Sequence, residues 1–176
     1  FQSSLAIDIM DRNLYERAND CRWWALTTTF RTLLSQESLN GSDQEKMGSI
    51  LRYINDLYTV YSAMFIYNRE GTIVAVSNEN DAHYVGKKVG HSWGHETLDL
   101  ATTQQYVVSE FEPTPFYGND HTYVYNACIR DYEGQSIGGI GIVFDSKPQF
   151  EAMLHDILPK NEANEIKDGM FALFID

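Results

Sequence analysis

"HTYVYNACIRDYEGQSIGGIGIVFD", residues 121–145, places two runs of β-branched and aromatic residues on either side of the turn sequence "DYEGQ". This pattern predicts two antiparallel strands joined as a hairpin. The second strand carries three glycines, Gly138, Gly139 and Gly141, and ends on Asp145. Because a glycine costs a strand roughly 0.5–1 kcal/mol relative to alanine, the run indicates that something else uses the space beside it.

Side chains alternate between the two faces of a strand, so the sequence assigns the faces of this last strand. One face carries two glycines and the acid: Gly139, Gly141, Val143 and Asp145. The other face is apolar, and we expect it to pack against helices: Ile140, Ile142 and Phe144. The first face therefore predicts a ligand site with Asp145 as its charged group.

We expect the neighbouring strand to place Tyr123 and Tyr125 on the face of Asp145. Aromatic faces attract cations by about 0.5–2 kcal/mol, and an amine satisfies a buried carboxylate that is costly when unpaired. This arrangement predicts a small amine-bearing ligand. Two other interpretations stay open: Asp145 caps the following helix, and the tyrosines are core residues with bonded hydroxyls.

Three further residues are candidate ligand contacts. Trp93, in the glycine-bearing loop of residues 79–95, is the predicted lid aromatic. Tyr67 and Ser77 are weaker candidates on the first two strands, and a serine after a strand is equally typical of a turn.

Residues 3–36 form one predicted long helix, because they contain neither Gly nor Pro and apolar residues recur at steps of three and four. In "LNGSD", Gly41 predicts the end of this helix and Ser42 or Asp43 the next N-cap, before a second helix to about Leu57. A helix of some thirty residues extends about 45 Å, which favours a dimer seam or a link to a membrane segment.

The remaining segments predict strands and two short helices. Residues 61–78 read as two strands around "NREG", and residues 95–102 suit a short helix. A third strand is broken at Pro113 and Pro115, and a final helix occupies residues 148–158. We therefore predict an α+β fold, with a long N-terminal helix and a five-stranded antiparallel sheet with flanking helices.

Composition limits the function. The net charge of −12 opposes binding to nucleic acid, and no run of 18 apolar residues predicts a membrane-spanning helix. Cys21 and Cys128 are too few for a disulfide scaffold, although a single pair and two buried free thiols both stay open. Because the sequence starts at Phe1, we interpret it as a piece of a longer protein whose membrane anchor lies outside it.

The chain resembles the Cache family, the PAS-like extracytoplasmic sensor domains of bacterial chemoreceptors and sensor kinases. The resemblance covers about residues 11–158 and rests on four stretches: "LYERANDCRWWALT", "MFIYNREGTIVAVSN", "HYVGKKVG" and "YVYNACIRDYEGQSIGGIGIVFD". It implies the strand order 2-1-5-4-3, a homodimer through the long N-terminal helix, and a membrane anchor before that helix.

Many amino-acid-sensing members of the family carry an Arg-x-Trp cluster before the third strand and an Asp that ends the last one. Asp145 matches the Asp. The segment "YVGKKVGHSWGHE" has Lys87, Lys88 and Trp93 but no Arg-x-Trp cluster, so the carboxylate-binding arginine of those members has no counterpart.

The resemblance divides the chain into an N-terminal helical region (1–58), a PAS-like sensor module (59–158) and a linker (159–176). Because "GMFALFID" at residues 169–176 is similar to "SAMFIYN" at residues 62–68, the segment predicts either the start of a second module or an added edge strand.

We therefore expect a non-enzymatic small-molecule sensor without a cofactor, in the periplasmic part of an inner-membrane protein. One alternative is a cytoplasmic PAS-type module that dimerises or binds a cofactor. Another is a metal-dependent hydrolase, because His91 and His95 stand four residues apart, with Glu96 as a further zinc ligand.

Overall fold

The computed structural model describes residues 2–161, 163, 165 and 166. The α-helices are α1 (Gln2–Trp24), α2 (Thr28–Leu34), α3 (Gly41–Leu57), α4 (Ser92–Leu98) and α5 (Ser146–Ile157). The strands are β1 (Tyr61–Asn68), β2 (Ile73–Val76), β3 (Val107–Val108), β4 (Glu112–Pro113), β5 (His121–Thr122), β6 (Val124–Arg130) and β7 (Ser136–Phe144). Short 3₁₀ turns occupy Glu79–Tyr84 and Pro115–Tyr117. The second module or edge strand predicted at residues 169–176 lies outside the described residues.

The helix predicted over residues 3–36 is interrupted, and this part of the prediction is wrong. α1 ends at Trp24, and α2 begins at Thr28. At the break, both the N–H and the hydroxyl of Thr27 donate to the carbonyl of Trp24, only three residues back. Threonine is a weak helix former whose hydroxyl competes for backbone groups, so the run of three threonines at 27–29 accounts for the interruption.

The start of α3 is fixed by a capping box, and the predicted N-cap, Ser42 or Asp43, is wrong. The N-cap is Asn40, whose side-chain Oδ1 accepts from the Asp43 N–H at 2.9 Å. The Asp43 carboxylate in turn accepts from the Asn40 N–H at 3.2 Å. Gly41 is therefore the first residue of α3 rather than a C-terminal cap, and α3 ends at Leu57 as predicted.

The sheet confirms the predicted fold class. Its strand order is β2-β1-β7-β6-β3, and every neighbouring pair is antiparallel. When the five strands of this sheet are numbered in chain order, β6 is the fourth and β7 the fifth. The order is then 2-1-5-4-3, which is the order that the family resemblance implies. β4 and β5 pair as a two-stranded ribbon outside this sheet.

A one-residue bulge sets the register between β6 and β7. Arg130 pairs with Ser136, but the next pair is Ile129 with Gly138, so Ile137 is the extra residue. A shift of one residue moves every following side chain to the other face. Beyond the bulge, odd-numbered residues of β6 therefore pair with even-numbered residues of β7.

The two faces of the sheet carry two separate cores. The helix face packs against α1, α2, α3 and α5, and contains the predicted set Ile140, Ile142 and Phe144. The loop face is covered by the 79–84 turn, the following loop, α4 and the segment 107–117. Its buried apolar residues are Ala63, Phe65, Tyr67, Ile73, Val76, Trp93, Val124 and Val143.

α4 lies earlier in the chain than the helix predicted at residues 95–102. It includes Gly94, where a Cβ atom would lie 2.8 Å from Cγ1 of Val89, so glycine here permits close packing of the preceding loop.

Cys21 and Cys128 are both free and buried. Within the described ranges, no helix combines the length and the apolar composition needed to cross a membrane.

Candidate ligand site on the loop face

The glycines of β7 make room for two aromatic rings of β1. Gly139 pairs with Tyr67, and Gly141 pairs with Phe65. A Cβ atom on Gly139 would lie 2.3 Å from the Tyr67 ring, and one on Gly141 would lie 2.3 Å from the Phe65 ring. Both rings are completely buried. The space that the sequence analysis reserved for a ligand is therefore occupied by protein side chains.

The aromatic cage predicted around Asp145 does not form. Tyr125 pairs with Ile142 and belongs to the core of the helix face, and Tyr123 packs against the same core. An unbulged hairpin would place Tyr125 opposite Gly141. The bulge at Ile137 turns both tyrosines to the other face of the sheet.

Ser77 also lies on the helix face rather than in the predicted site. Its hydroxyl donates to Asn55 Oδ1 at 2.8 Å and accepts from the Met64 N–H at 2.9 Å. These two bonds connect the end of β2 to β1 and to α3. Ser77 is therefore a buried residue with a structural role.

Asp145 stands at the end of β7 and is held by a tyrosine that the sequence analysis did not identify. The Tyr117 hydroxyl donates to Asp145 Oδ1 at 2.7 Å and accepts from the Lys147 N–H at 3.1 Å. Burial raises the pKa of Tyr117, and the hydrogen bond to Asp145 raises it further because it stabilises the protonated phenol.

Asp145 occupies the N-cap position of α5, but its side chain does not bond to the helix amides. Tyr117 satisfies the Lys147 N–H instead, so the capping role considered for Asp145 is not the one observed. The carboxylate is half-buried, and no basic side chain of the described residues forms an ion pair with it. Lys147, the nearest base in sequence, pairs with Asp120 at 2.6 Å. This leaves the carboxylate able to accept a positively charged group.

Aromatic rings form a continuous cluster on the loop face. Phe116 stacks on Phe65 with ring centroids 4.4 Å apart and planes within 9°, and Tyr84 lies 4.8 Å from Phe116. Trp93 and Tyr67 lie 6.0 Å and 6.1 Å from Phe65. The structure therefore brings the predicted contacts Tyr67 and Trp93 onto the face where Tyr117 meets Asp145.

Two buried polar atoms in this region have no hydrogen-bond partner within the described part of the chain. They are Nε1 of Trp93, a residue that is 4% exposed, and Oγ1 of Thr114, a residue that is 2% exposed. His91 stacks on Trp93 at 5.1 Å and its Nδ1 lies 3.5 Å from Glu112 Oε1. An unpaired buried donor costs about 1–3 kcal/mol, so the Trp93 indole is positioned to gain from a hydrogen-bond acceptor.

Tyr67, in contrast, has its hydrogen bond satisfied inside the protein. Its hydroxyl donates to Oδ1 of the fully buried Asn126 at 3.1 Å. Burial raises the pKa of Tyr67, so this hydroxyl stays protonated. Tyr67 therefore contributes the edge of its ring and a hydroxyl dipole of fixed direction to the candidate site. Its hydroxyl is not free to donate a hydrogen bond to a ligand.

The zinc arrangement considered for His91, His95 and Glu96 does not form. Over residues 2–161 and the three further described positions, no group of three or more His, Cys, Asp or Glu side chains is placed to hold a metal ion.

Sequence reasoning missed Tyr117, Phe116 and Asn126. Tyr117 and Phe116 follow Pro115 in "TPFYGND", which is typical of a turn and carries no information about long-range contacts. Asn126 had a usable signal, because it is a polar residue within an otherwise apolar strand and must find a buried partner.

Comparison with known proteins gives relatives at the level of structure. No family model and no curated protein matches the chain. The sensor domain of the V. cholerae histidine kinase DctB has a TM-score of 0.71 at 15% identity; the alignment covers 86% of this chain and 56% of that one. The E. coli DcuS sensor domain has a TM-score of 0.61 at 13% identity, with 80% of this chain and 94% of that one covered.

A third neighbour was solved with an amino acid bound. The ligand-binding domain of the Campylobacter jejuni chemoreceptor Tlp3 in complex with L-valine has a TM-score of 0.60 at 15% identity, covering 91% of this chain and 60% of that one. The first two of these neighbours are sensor domains, and the third is a ligand-binding domain of a chemoreceptor. The chain has the fold of the sensor domains of histidine kinases and chemoreceptors, and its resemblance to the Cache family is confirmed as one of fold.

Proposed function

We propose that this chain is a non-enzymatic, extracytoplasmic ligand-binding domain of a bacterial transmembrane signalling receptor, and that it binds a small amine on the loop face. Asp145 and Tyr117 hold the ammonium group. The observation that carries the proposal is the half-buried Asp145 carboxylate, which has one neutral donor at 2.7 Å and no basic partner within the described residues. A carboxylate removed from water gains from a hydrogen-bonded cation.

The other end of the site favours a ligand that also carries a hydrogen-bond acceptor. Trp93 Nε1 is buried without an acceptor among the described residues, and the ring lies in the same aromatic cluster as Phe116, the neighbour of Tyr117. An amine that also carries a carboxylate or carbonyl group, such as an amino acid, offers a cation for Asp145 and an acceptor for Trp93. The chemoreceptor neighbour solved with L-valine supports this ligand class.

The site is connected to the long helix by hydrogen bonds. The Asp145 N–H donates to Val60 O at 2.9 Å. Tyr61, the residue after Val60, donates its hydroxyl hydrogen to Asp20 of α1 at 2.5 Å. A ligand that binds two arrangements of Asp145 with different affinity therefore biases the position of α1. A difference of about 1.4 kcal/mol between the two arrangements is a tenfold bias.

Dimerisation through α1 and a membrane anchor outside this chain belong to the same proposal. α1 exposes the large apolar side chains of Ile7 (59%), Tyr15 (59%) and Trp23 (74%), which are costly in water and suit a partner surface.

A thermal-shift screen of amino acids, simple amines and organic acids tests the ligand class. A ligand at a hundredfold excess over Kd stabilises the fold by about 2.7 kcal/mol, and we expect amine-bearing compounds to give the largest shifts. Asp145→Asn should weaken the binding at least about tenfold, since it keeps the shape and removes the charge.

Asp120→Asn is the matched control, because Asp120 is an exposed acid nearby whose partner is Lys147. It should leave the shifts unchanged. The proposal is contradicted if carboxylates without an amine give the largest shifts, or if Asp145→Asn and Asp120→Asn behave alike.

A further inference from the structure

Phe116 forms the outer wall of the loop face. Its ring lies between Phe65, at 4.4 Å, and Tyr84, at 4.8 Å. Phe65 cannot sink toward the sheet, because it already occupies the space over Gly141, where even a Cβ atom would come within 2.3 Å of the ring. Three aromatic rings in contact, of which Phe65 and Phe116 are stacked, therefore occupy the layer between β7 and the 79–84 turn.

The position of Phe116 is fixed by its own segment. It lies in the 3₁₀ turn that begins with Pro115, and the carbonyl of Thr114 accepts from the N–H groups of Tyr117 and Asn119, both at 3.0 Å. The turn is closed by the β4–β5 ribbon, in which Glu112 pairs with Thr122. The ring therefore belongs to a compact hairpin rather than to a free loop.

The same hairpin holds the proposed amine-binding group. Tyr117, the next residue, donates to Asp145, and both Phe116 and Tyr117 pack against the loop-face core. A ligand whose ammonium group meets Asp145 and whose remaining atoms turn toward the loop face would contact this core. The ring of Phe116, stacked on Phe65, would then limit the room for those atoms.

Resting on the proposed amine site, we infer that Phe116 determines ligand specificity by limiting the apolar part of the ligand to a compact group. Removing the ring opens an apolar space bounded by Phe65 and Tyr84. Engineered apolar cavities of this kind stay dry and accept small aromatic molecules. A single methylene is worth about 10–200-fold in an apolar pocket, so a whole ring has a measurable effect on selectivity.

The test measures Kd for methylamine and for 2-phenylethylamine by NMR titration of the whole chain. We expect Phe116→Ala to bind 2-phenylethylamine at least about tenfold more tightly than the unmodified protein does, and methylamine with little change. Phe116→Leu is the second variant. It keeps more of the packing and should give an intermediate gain, so a folding defect in Phe116→Ala leaves the inference testable.

Phe111→Ala is the matched control, because Phe111 lies just before β4 but packs against the helix-face core, 6.1 Å from Phe150. It should leave both affinities unchanged. If methylamine binds and neither Phe116 variant gains affinity for 2-phenylethylamine, the size-limiting role is wrong while the amine site stands. If no amine binds to any of the proteins, the proposed amine site itself is wrong, and the inference fails with it.

Discussion

Gly141→Ala tests whether the glycine-bearing strand is shaped by the protein's own rings. The new Cβ atom would lie 2.3 Å from Cζ, 2.6 Å from Cε2 and 2.8 Å from Cε1 of Phe65. Carbon atoms pack best at about 3.5–4.0 Å, so the shortest of these contacts falls short by roughly 1.2–1.7 Å. The Phe65 ring cannot easily move away, because it is fully buried and Phe116 stacks on its face.

Two opposing effects set the magnitude. Overpacking of a filled core costs about 1–3 kcal/mol. Replacing a strand glycine by alanine returns about 0.5–1 kcal/mol, because alanine loses less backbone freedom on folding. We therefore expect Gly141→Ala to lower the free energy of unfolding by about 1–2 kcal/mol, measured as a shift of the urea midpoint at constant slope.

Two companion variants separate this clash from a general effect of substitution. Gly90→Ala is the matched control, because its Cβ position has no atom of the described residues within 4 Å beyond its chain neighbours, and it should change stability by less than about 0.5 kcal/mol. Phe65→Leu should relieve the clash, so the double variant should be more stable than the sum of the single effects predicts. A Gly141→Ala protein as stable as the parent, or strict additivity with Phe65→Leu, would refute the packing account.

Three further predictions follow from other contacts. Asn40→Ala removes the side-chain acceptor of the Asp43 N–H in the α3 capping box and should cost about 1 kcal/mol in chemical denaturation, while Asn40→Asp should retain most of the stability. Tyr67→Phe leaves Oδ1 of buried Asn126 without its donor and should cost about 1–3 kcal/mol; an unchanged urea midpoint would contradict that hydrogen bond. Burial raises the pKa of Cys21 and of Tyr61 above their ordinary values of 9.0 and 10.0, so above pH 9 the unfolded chain binds fewer protons than the folded chain. Stability should therefore be fully present below pH 9 and fall as the pH rises beyond it, and a flat urea-midpoint profile between pH 8 and pH 11 would argue against these buried groups.

The strands of the sheet were predictable because each has a recognisable local sequence pattern. The runs "SAMFIYN", "TIVAV", "TYVYNACIR" and "SIGGIGIVF" are bounded by turn sequences, and all four became strands in the expected antiparallel arrangement. The strand order came from the family resemblance, since nothing in four local patterns states which strands are neighbours.

The face of each tyrosine was not predictable, because it depends on a single bulge. Tyr123 and Tyr125 would share a face with Gly141 in a regular hairpin, and the extra residue Ile137 reverses this. No residue in "DYEGQSIGG" requires a bulge at Ile137 rather than a longer turn. The prediction of the site therefore failed at the register, although its charged residue, Asp145, lies on the expected face.

The contact of Tyr117 with Asp145 was not predictable from the sequence either. It contacts Asp145 across 28 residues through a hairpin whose geometry is set by the β4–β5 pairing and by backbone bonds to Thr114. Sequence patterns describe neighbours within one element, whereas this contact joins a turn to the end of a distant strand. The glycines of β7 were interpreted as space for a ligand, because a ring from an adjacent strand leaves the same signature as a bound molecule.

The proposed function depends on the Asp145 carboxylate receiving a ligand's ammonium group beside Tyr117. The most direct measurement is a crystal structure of the protein with the amine that gives the largest thermal shift. The account predicts the ammonium nitrogen within about 3 Å of a carboxylate oxygen of Asp145, with the ligand's apolar part against the ring of Phe116. A ligand bound elsewhere, with the Asp145 carboxylate still bonded to Tyr117 and not to the ligand, would contradict it.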